Sequence, residues 1–332
     1  MKQDFLFKAS NISKYYGQNI GCKNVSLDIN PGEILGIVGE SGSGKSTLLN
    51  CIYGNLEVDE GDIFLNDKSE KILNFTKISE PKLRLIQRSD LAFVHQNPRD
   101  GLRMNISAGG NIGERLMAVG HRNYGEIREI ALNWLEKVEI DISRIDDKPS
   151  TFSGGMQQRV GLARAISANP DVLLMDEPFS ALDPLIRRQL QDEFIKLSKQ
   201  LQKTTVFITH DLDEAVRIGD RIAIMKDGVV DQIGTAEEIV MNPQTEYVAN
   251  FVAGISRLKV VKAHAIMKPN VTDLSINTPS VRNNVVNLDA SLTEIIEMSI
   301  QRPGDIYVVD AEKVVGVIEQ SDILKTVIEG TE

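Results

Sequence analysis

Two cysteines, one tryptophan and four histidines are all that this 332-residue chain has of those types. Cys22 and Cys51 are too few for a disulfide framework and fit a reducing compartment. Aromatic residues make up only 5% of the chain. No apolar run approaches the roughly 20 residues that a bilayer-spanning helix needs, and no stretch reads as a signal peptide. Positive charge is in deficit, with 37 Lys and Arg against 47 Asp and Glu and a formal net charge of −10. That balance does not favour nonspecific binding to nucleic acid. If the protein works at a membrane, it docks there on a partner. The rest is ordinary globular composition, 42% hydrophobic and 25% charged, at a length that predicts one large and one small domain.

Glycine is concentrated where it matters. Gly39-Glu-Ser41-Gly42-Ser-Gly44-Lys45-Ser46-Thr47 follows the apolar run Ile34–Val38, which reads as a buried strand, and opens an apolar stretch that reads as a helix. Strand, GxxxxGK[ST] and helix are together the context of a phosphate-binding loop. The glycines let backbone N–H groups turn inward around a polyphosphate, and the helix N-terminus adds partial positive charge. Lys45 would reach the β- and γ-phosphates, and the Ser46 hydroxyl would ligate Mg²⁺.

Four more stations follow. Ser153-Gly154-Gly155 stands before a helical stretch, with Ser153 as a good N-cap. Val172–Asp176 is an apolar strand that ends in the paired carboxylates Asp176 and Glu177. Asp183 follows shortly after, and Val206–Thr209 is another apolar strand ending at His210. A lone histidine is more often packed in a core, but the carboxyl end of a strand is where α/β sheets place ligands.

In this order the sequence resembles the ATP-binding-cassette (ABC) ATPases, over about residues 5–245. The resemblance implies a P-loop NTPase cassette of the α/β class: a mostly parallel sheet core, an antiparallel β subdomain, and a helical subdomain at about 97–165. It implies ATP and Mg²⁺ as cofactors. Tyr16 matches the position that stacks on adenine; a strand-end aromatic covering the core is the alternative. Gln96 would be the Gln-loop residue that touches Mg²⁺ or the attacking water. Asp176 would hold Mg²⁺ with Ser46, and Glu177 would orient and deprotonate the water. His210 would sense the γ-phosphate. The signature Ser153-Gly154-Gly155 would close on nucleotide held by a second subunit, and Asp183 would tie the two sites together, making the active unit a head-to-tail dimer. The stripe Ile127, Ile130, Ala131, Trp134, Leu135 and Val138 has helical spacing and reads as core.

Residues 246–262 read as a linker, and 263–332 as a separate small α+β unit. Its β-α-β-β-α order resembles a single CBS motif and implies a regulatory role. The Thr–Asp pair that such motifs use for adenosyl ligands is here Glu319 and Asp322, which argues against that ligand.

The cargo signal is divided. His95–Arg103 and Ser107–Met117 look like the ABC proteins of the phosphonate carbon–phosphorus lyase system. Asp176–Arg187 and Asp211–Met225 look like the ATPase of glycine betaine/proline importers. The leading expectation is an importer ATPase for a small osmolyte, peripheral on the cytoplasmic face of the inner membrane. Its partners would be a permease, a second copy of the chain and, indirectly, a substrate-binding protein, with no nucleic acid. The alternatives are a phosphonate uptake or degradation subunit, a non-transport ABC ATPase, or a catalytically silent binding module.

Overall fold

The computed structural model describes residues 5–66, 72–269, 284–311 and 313–328. The chain divides into two compact units, Met1–Ile233 and Gly234–Glu332.

The first unit opens with β1 (Phe7–Tyr16) and β2 (Asn19–Ile29), antiparallel, with Phe7 facing Ile29. Asn11 and Asn24 take left-handed backbone angles within them, and the register shifts there. Such bulges break the alternation by which strands are recognised. Next come β3 (Ile34–Val38) and α1 (Lys45–Tyr53), with the phosphate-loop sequence between them. All of β3 is buried, as a strand covered on both faces must be. Then follow β4 (Glu60–Asn66), β5 (Ile72–Asn74), α2 (Glu80–Ser89) and β6 (Leu91–Val94). Helix α2 carries little sequence signal. Ile86 is its only buried residue, so no apolar period marks it.

Helices α3 (Pro98–Gly101), α4 (Ala108–Ala118), α5 (Tyr124–Lys137) and α6 (Gly154–Ser167) form a helical region. Ile127, Ala131, Trp134, Leu135 and Val138 are buried, so the α5 stripe is core. The chain then alternates through β7 (Val172–Asp176), α7 (Pro184–Leu201), β8 (Thr204–Thr209), α8 (Leu212–Ile218), β9 (Arg221–Lys226) and β10 (Val229–Gly234). Asp227 and Gly228, both left-handed, make the β9–β10 turn.

Two sheets result, one ordered β2-β1-β4-β5 and the other β10-β9-β3-β8-β7-β6. In the second, β6, β7, β8, β3 and β9 run parallel, so β3, β7 and β8 deliver their carboxyl ends to one edge. A core around Leu35, Ile37, Leu48, Leu49, Val206 and Ile208 fixes α1 against this sheet.

The second unit begins at Gly234, earlier than the boundary at 245 read from the sequence. Residues 246–262 are not a bare linker. They follow α9 (Ala236–Met241) as α10 (Glu246–Val252) and α11 (Arg257–Val260), and they bury Val248, Val252, Val260 and Val261. Valines at such spacing supply core, which a connector does not need. Then come α12 (Ala263–Ile266), β11 (Lys268–Pro269), β12 (Val285–Asn287), α13 (Leu292–Gln301), β13 (Ile306–Asp310), β14 (Lys313–Ile318) and α14 (Gln320–Ile328). The sheet order is β11-β14-β13-β12, over a core of Val261, Ala263, Leu292, Ile295, Ile306, Val308 and Ile318. Glu319 and Asp322 are both engaged by Lys268, at 2.9 and 3.2 Å. The parts of the expected C-terminal domain at 270–283 and 329–332 lie outside the described residues.

Candidate active site

The loop between β3 and α1 is built by what its glycines lack. Gly44 caps α1 at φ +96°, and a Cβ there would stand 2.0 Å from the Gly21 carbonyl oxygen. Gly39 passes equally close to the backbone of β9, where a Cβ would meet the Met225 oxygen at 2.2 Å. Gly42, at φ +84°, faces open space. The loop therefore packs against the backbone of β9 at Gly39 and of β2 at Gly44, closer than any side chain would allow.

Lys45 is buried, and its ammonium donates to the carbonyls of Gly39 and Glu40, both at 2.8 Å. Burial pushes its pKa down, against the pull of Glu177 and Asp176. Asp176 is buried at the end of β7, and the Ser46 hydroxyl donates to its Oδ1 at 3.3 Å. Burial pushes the Asp176 carboxyl up, opposed by the Ser46 hydrogen bond. A hydroxyl and a desolvated carboxylate this close suit a small hard cation. Among the described residues no cluster of three or more acidic, His or Cys ligands forms a complete metal cage.

Glu177 adopts φ +43°, so the chain reverses at the strand mouth. Its N–H donates to Ile208 O at 3.0 Å, and its carbonyl accepts the Ser180 hydroxyl at 2.9 Å. With its backbone locked on both sides, its carboxylate takes two partners: Gln96 Nε2 at 3.1 Å on Oε2 and His210 Nδ1 at 3.1 Å on Oε1. His210 is held by the turn after β8, where Asp211 N–H donates to Thr209 Oγ1 and Asp211 caps α8.

Tyr16, Ser41, Gly42, Gly44, Lys45, Ser46, Thr47, Gln96 and Glu177 line one cleft of about 320 Å³. Tyr16 is half exposed at its rim. Ile20 and Gly21 of β2, which no motif marks in the sequence, line it too. A Cβ at Gly21 would lie 2.8 Å from both Thr47 and Tyr16, so its bareness is what admits that ring beside the loop. A glycine inside a strand was the available signal.

Ser153, Gly154, Gly155 and Asp183 are not among the residues lining this cleft. Ser153 Oγ accepts the Met156 N–H at 3.3 Å, capping α6, and a Cβ at Gly154 would meet nothing within 4 Å. Asp183 caps α7 through the Ile186 N–H. Both helix ends are formed and exposed.

A glycine-built loop before a helix, a hydroxyl beside a buried carboxylate, and a second carboxylate held by two partners together make phosphoanhydride hydrolysis chemically feasible. The family model described as ABC transporter matches residues 22–180. The chain is 44% identical to PhnK of Escherichia coli K12, named for phosphonates utilization, over 75% of this chain and 97% of that protein. It is 39% identical to TmoW of Pelagibacter ubique, a trimethylamine N-oxide transport ATP-binding protein, over 93% of this chain and 86% of that one. It is 40% identical to OpuAA of Bacillus subtilis, a glycine betaine transport ATP-binding protein, over 95% of this chain and 74% of that one. Among solved structures, a dimeric ATP-binding cassette in a post-hydrolysis state with ADP and phosphate is similar, at TM-score 0.64 and 33% identity, over 69% of this chain and 98% of that one. Likeness of this extent, carried by a cleft with the parts to cleave ATP, makes the chain a member of the ABC transporter ATP-binding family and an ATP-hydrolysing enzyme.

Proposed function

We propose that this chain powers uptake of a small osmolyte of the quaternary-amine class through a membrane permease. The observation that carries this reading is the reach of the likeness. The osmolyte and amine-oxide relatives match over 93% and 95% of this chain, which includes the second unit, whereas the phosphonate relative matches over 75%.

In this reading ATP lies with its phosphates on the loop and its base on Tyr16. Lys45 turns from the loop carbonyls to the β- and γ-phosphates. Ser46, Asp176 and Gln96 are the residues that would hold Mg²⁺, which supplies neutralisation of phosphate charge. Glu177 gives one oxygen to the attacking water and takes its proton, and His210 leaves that carboxylate for the γ-phosphate. The exposed N-terminus of α6 closes on ATP held by a second copy, with Asp183 joining the two sites. The active unit is a homodimer on the cytoplasmic face of the membrane, bound to a permease that receives cargo from a binding protein. The second unit, with its CBS-like order of elements, regulates the cycle. The described residues contain no helix long and apolar enough to cross a membrane.

A second reading, a subunit of a phosphonate uptake or carbon–phosphorus lyase complex, is favoured by the 44% identity over nearly all of PhnK. Affinity purification from the source cell in mild detergent, followed by mass spectrometry, separates the two. A multi-span permease with an amine-binding protein is the expected recovery. Soluble phosphonate-lyase subunits without a permease would overturn the osmolyte reading.

A further inference from the structure

The second turn of α6 carries two adjacent buried glutamines that face different loops. Gln157 donates to the carbonyls of Pro149 and Phe152, at 2.9 and 3.0 Å, and so anchors the segment that enters the helix. Gln158 turns the other way. Its Nε2 donates at 3.1 Å to the carbonyl of His95, the residue before Gln96, and the side chain is 2% exposed. Its Oε1 is buried with no hydrogen-bond partner. A buried acceptor without a partner is costly, and the donation to His95 is the hydrogen bond that holds this amide.

The peptide it grips has little freedom. The His95 ring packs at a tilt against Phe93, centroids 4.6 Å apart, and a Cβ at Gly101 would lie 3.0 Å from it. The His95 carbonyl belongs to the peptide unit that carries the Gln96 nitrogen. A continuous path therefore runs from α6 through Gln158 to that peptide, then to Gln96 Nε2 and Glu177 Oε2 at 3.1 Å.

We propose that Gln158 is a positioning residue for hydrolysis: it transmits the placement of α6 to Gln96 and thereby sets the Glu177 carboxylate. The helix whose N-terminus carries Ser153 and Gly154 is thus tied mechanically to the base. The inference rests on Glu177 acting as base in the proposed mechanism, but it concerns a residue that touches neither nucleotide nor water.

The test uses the full-length chain with Gln158→Met, which keeps length and apolar volume without a donor, and Gln158→Asn, which stays polar but is too short to reach His95. Steady-state ATPase should show kcat reduced about tenfold in both variants, with KM for ATP and ATP affinity within about twofold of the parent. Melting temperature is measured alongside. The double variant Gln96→Ala/Gln158→Met should be no slower than Gln96→Ala alone, because both changes cut one path. Unchanged kcat per folded molecule, a loss carried by KM, or losses that multiply in the double variant would each overturn the proposal. Glu177→Gln, assayed in parallel, isolates the reading it rests on: if that variant keeps its activity, the base assignment fails, whatever the Gln158 variants do.

Discussion

His210 Nδ1 stands 3.1 Å from Glu177 Oε1, while Gln96 holds the other oxygen of the same carboxylate at 3.1 Å. The three residues come from the ends of three adjacent strands, β8, β7 and β6. Each oxygen thus carries one partner, which fixes the plane of the carboxylate and leaves its remaining lone pairs to face the cleft that Glu177 lines.

Glu177→Gln keeps the shape of this cluster and the phosphate cradle but removes the proton acceptor. Its kcat should fall by roughly a hundredfold to ten-thousandfold. With MgATP it should elute as a stable dimer in gel filtration. A variant that stays monomeric under saturating MgATP would count against the shared site.

Gly44→Ala tests the loop itself. The added Cβ would meet the Gly21 carbonyl at 2.0 Å, and φ +96° is strained for alanine in any case. The expected cost is at least about 2 kcal/mol of stability, together with loss of ATP binding. Urea denaturation and nucleotide titration check both. Gly42→Ala has the same sign of φ but open space around it, so it should lose less stability.

Glu214 gives a pH signature. Burial pushes its carboxyl above the ordinary glutamate range, against hydrogen bonds from Thr209 and Gln191 that pull it down. The native state therefore keeps a proton that the unfolded chain releases near pH 4.3. The contribution of Glu214 to stability is greatest below that pH and declines as pH rises to the raised native value. Glu214→Gln cannot titrate, so its stability relative to the parent should grow across mildly acidic pH and then level off. Urea melts at a series of pH values measure this, and a difference that does not vary with pH would contradict the burial argument.

The unit boundary makes a prediction about truncation. A chain ending at 235 retains the first unit and all of β10, and should keep basal ATPase. A chain ending at 262 retains Val261 without Leu292 and Ile295 from the same small core. It should expose apolar surface and aggregate in light scattering. Equal solubility of the two truncations would sink this assignment of the core.

The phosphate loop, the strand mouth at Asp176-Glu177 and the turn at His210 were legible because each is written in contiguous residues beside an apolar run. Their mutual distances were not: Gln96 and Glu177 meet across 81 positions, and only the parallel register of β6 and β7 brings them together. Helix α2 was missed because it buries a single residue, although Ser79 and Pro81 at its start were usable signals. The helices of 246–262 were missed because they are one or two turns long, too short for a period to show. Gln158 had no sequence signal, since its role lies in a bond to a main-chain oxygen 63 residues away.

The Ser153 cap has a consequence for affinity. Its oxygen accepts the Met156 N–H, so the first turn of α6 is fixed by the chain's own side chain. The hydroxyl proton is not used in that bond and is available to a phosphate oxygen. A ligand reaching this helix end finds it preorganised, and the entropy of ordering it has already been charged to folding rather than to association. Ser153→Asp would keep the cap and repel a phosphate, so it separates the part of binding that is shape from the part that is charge.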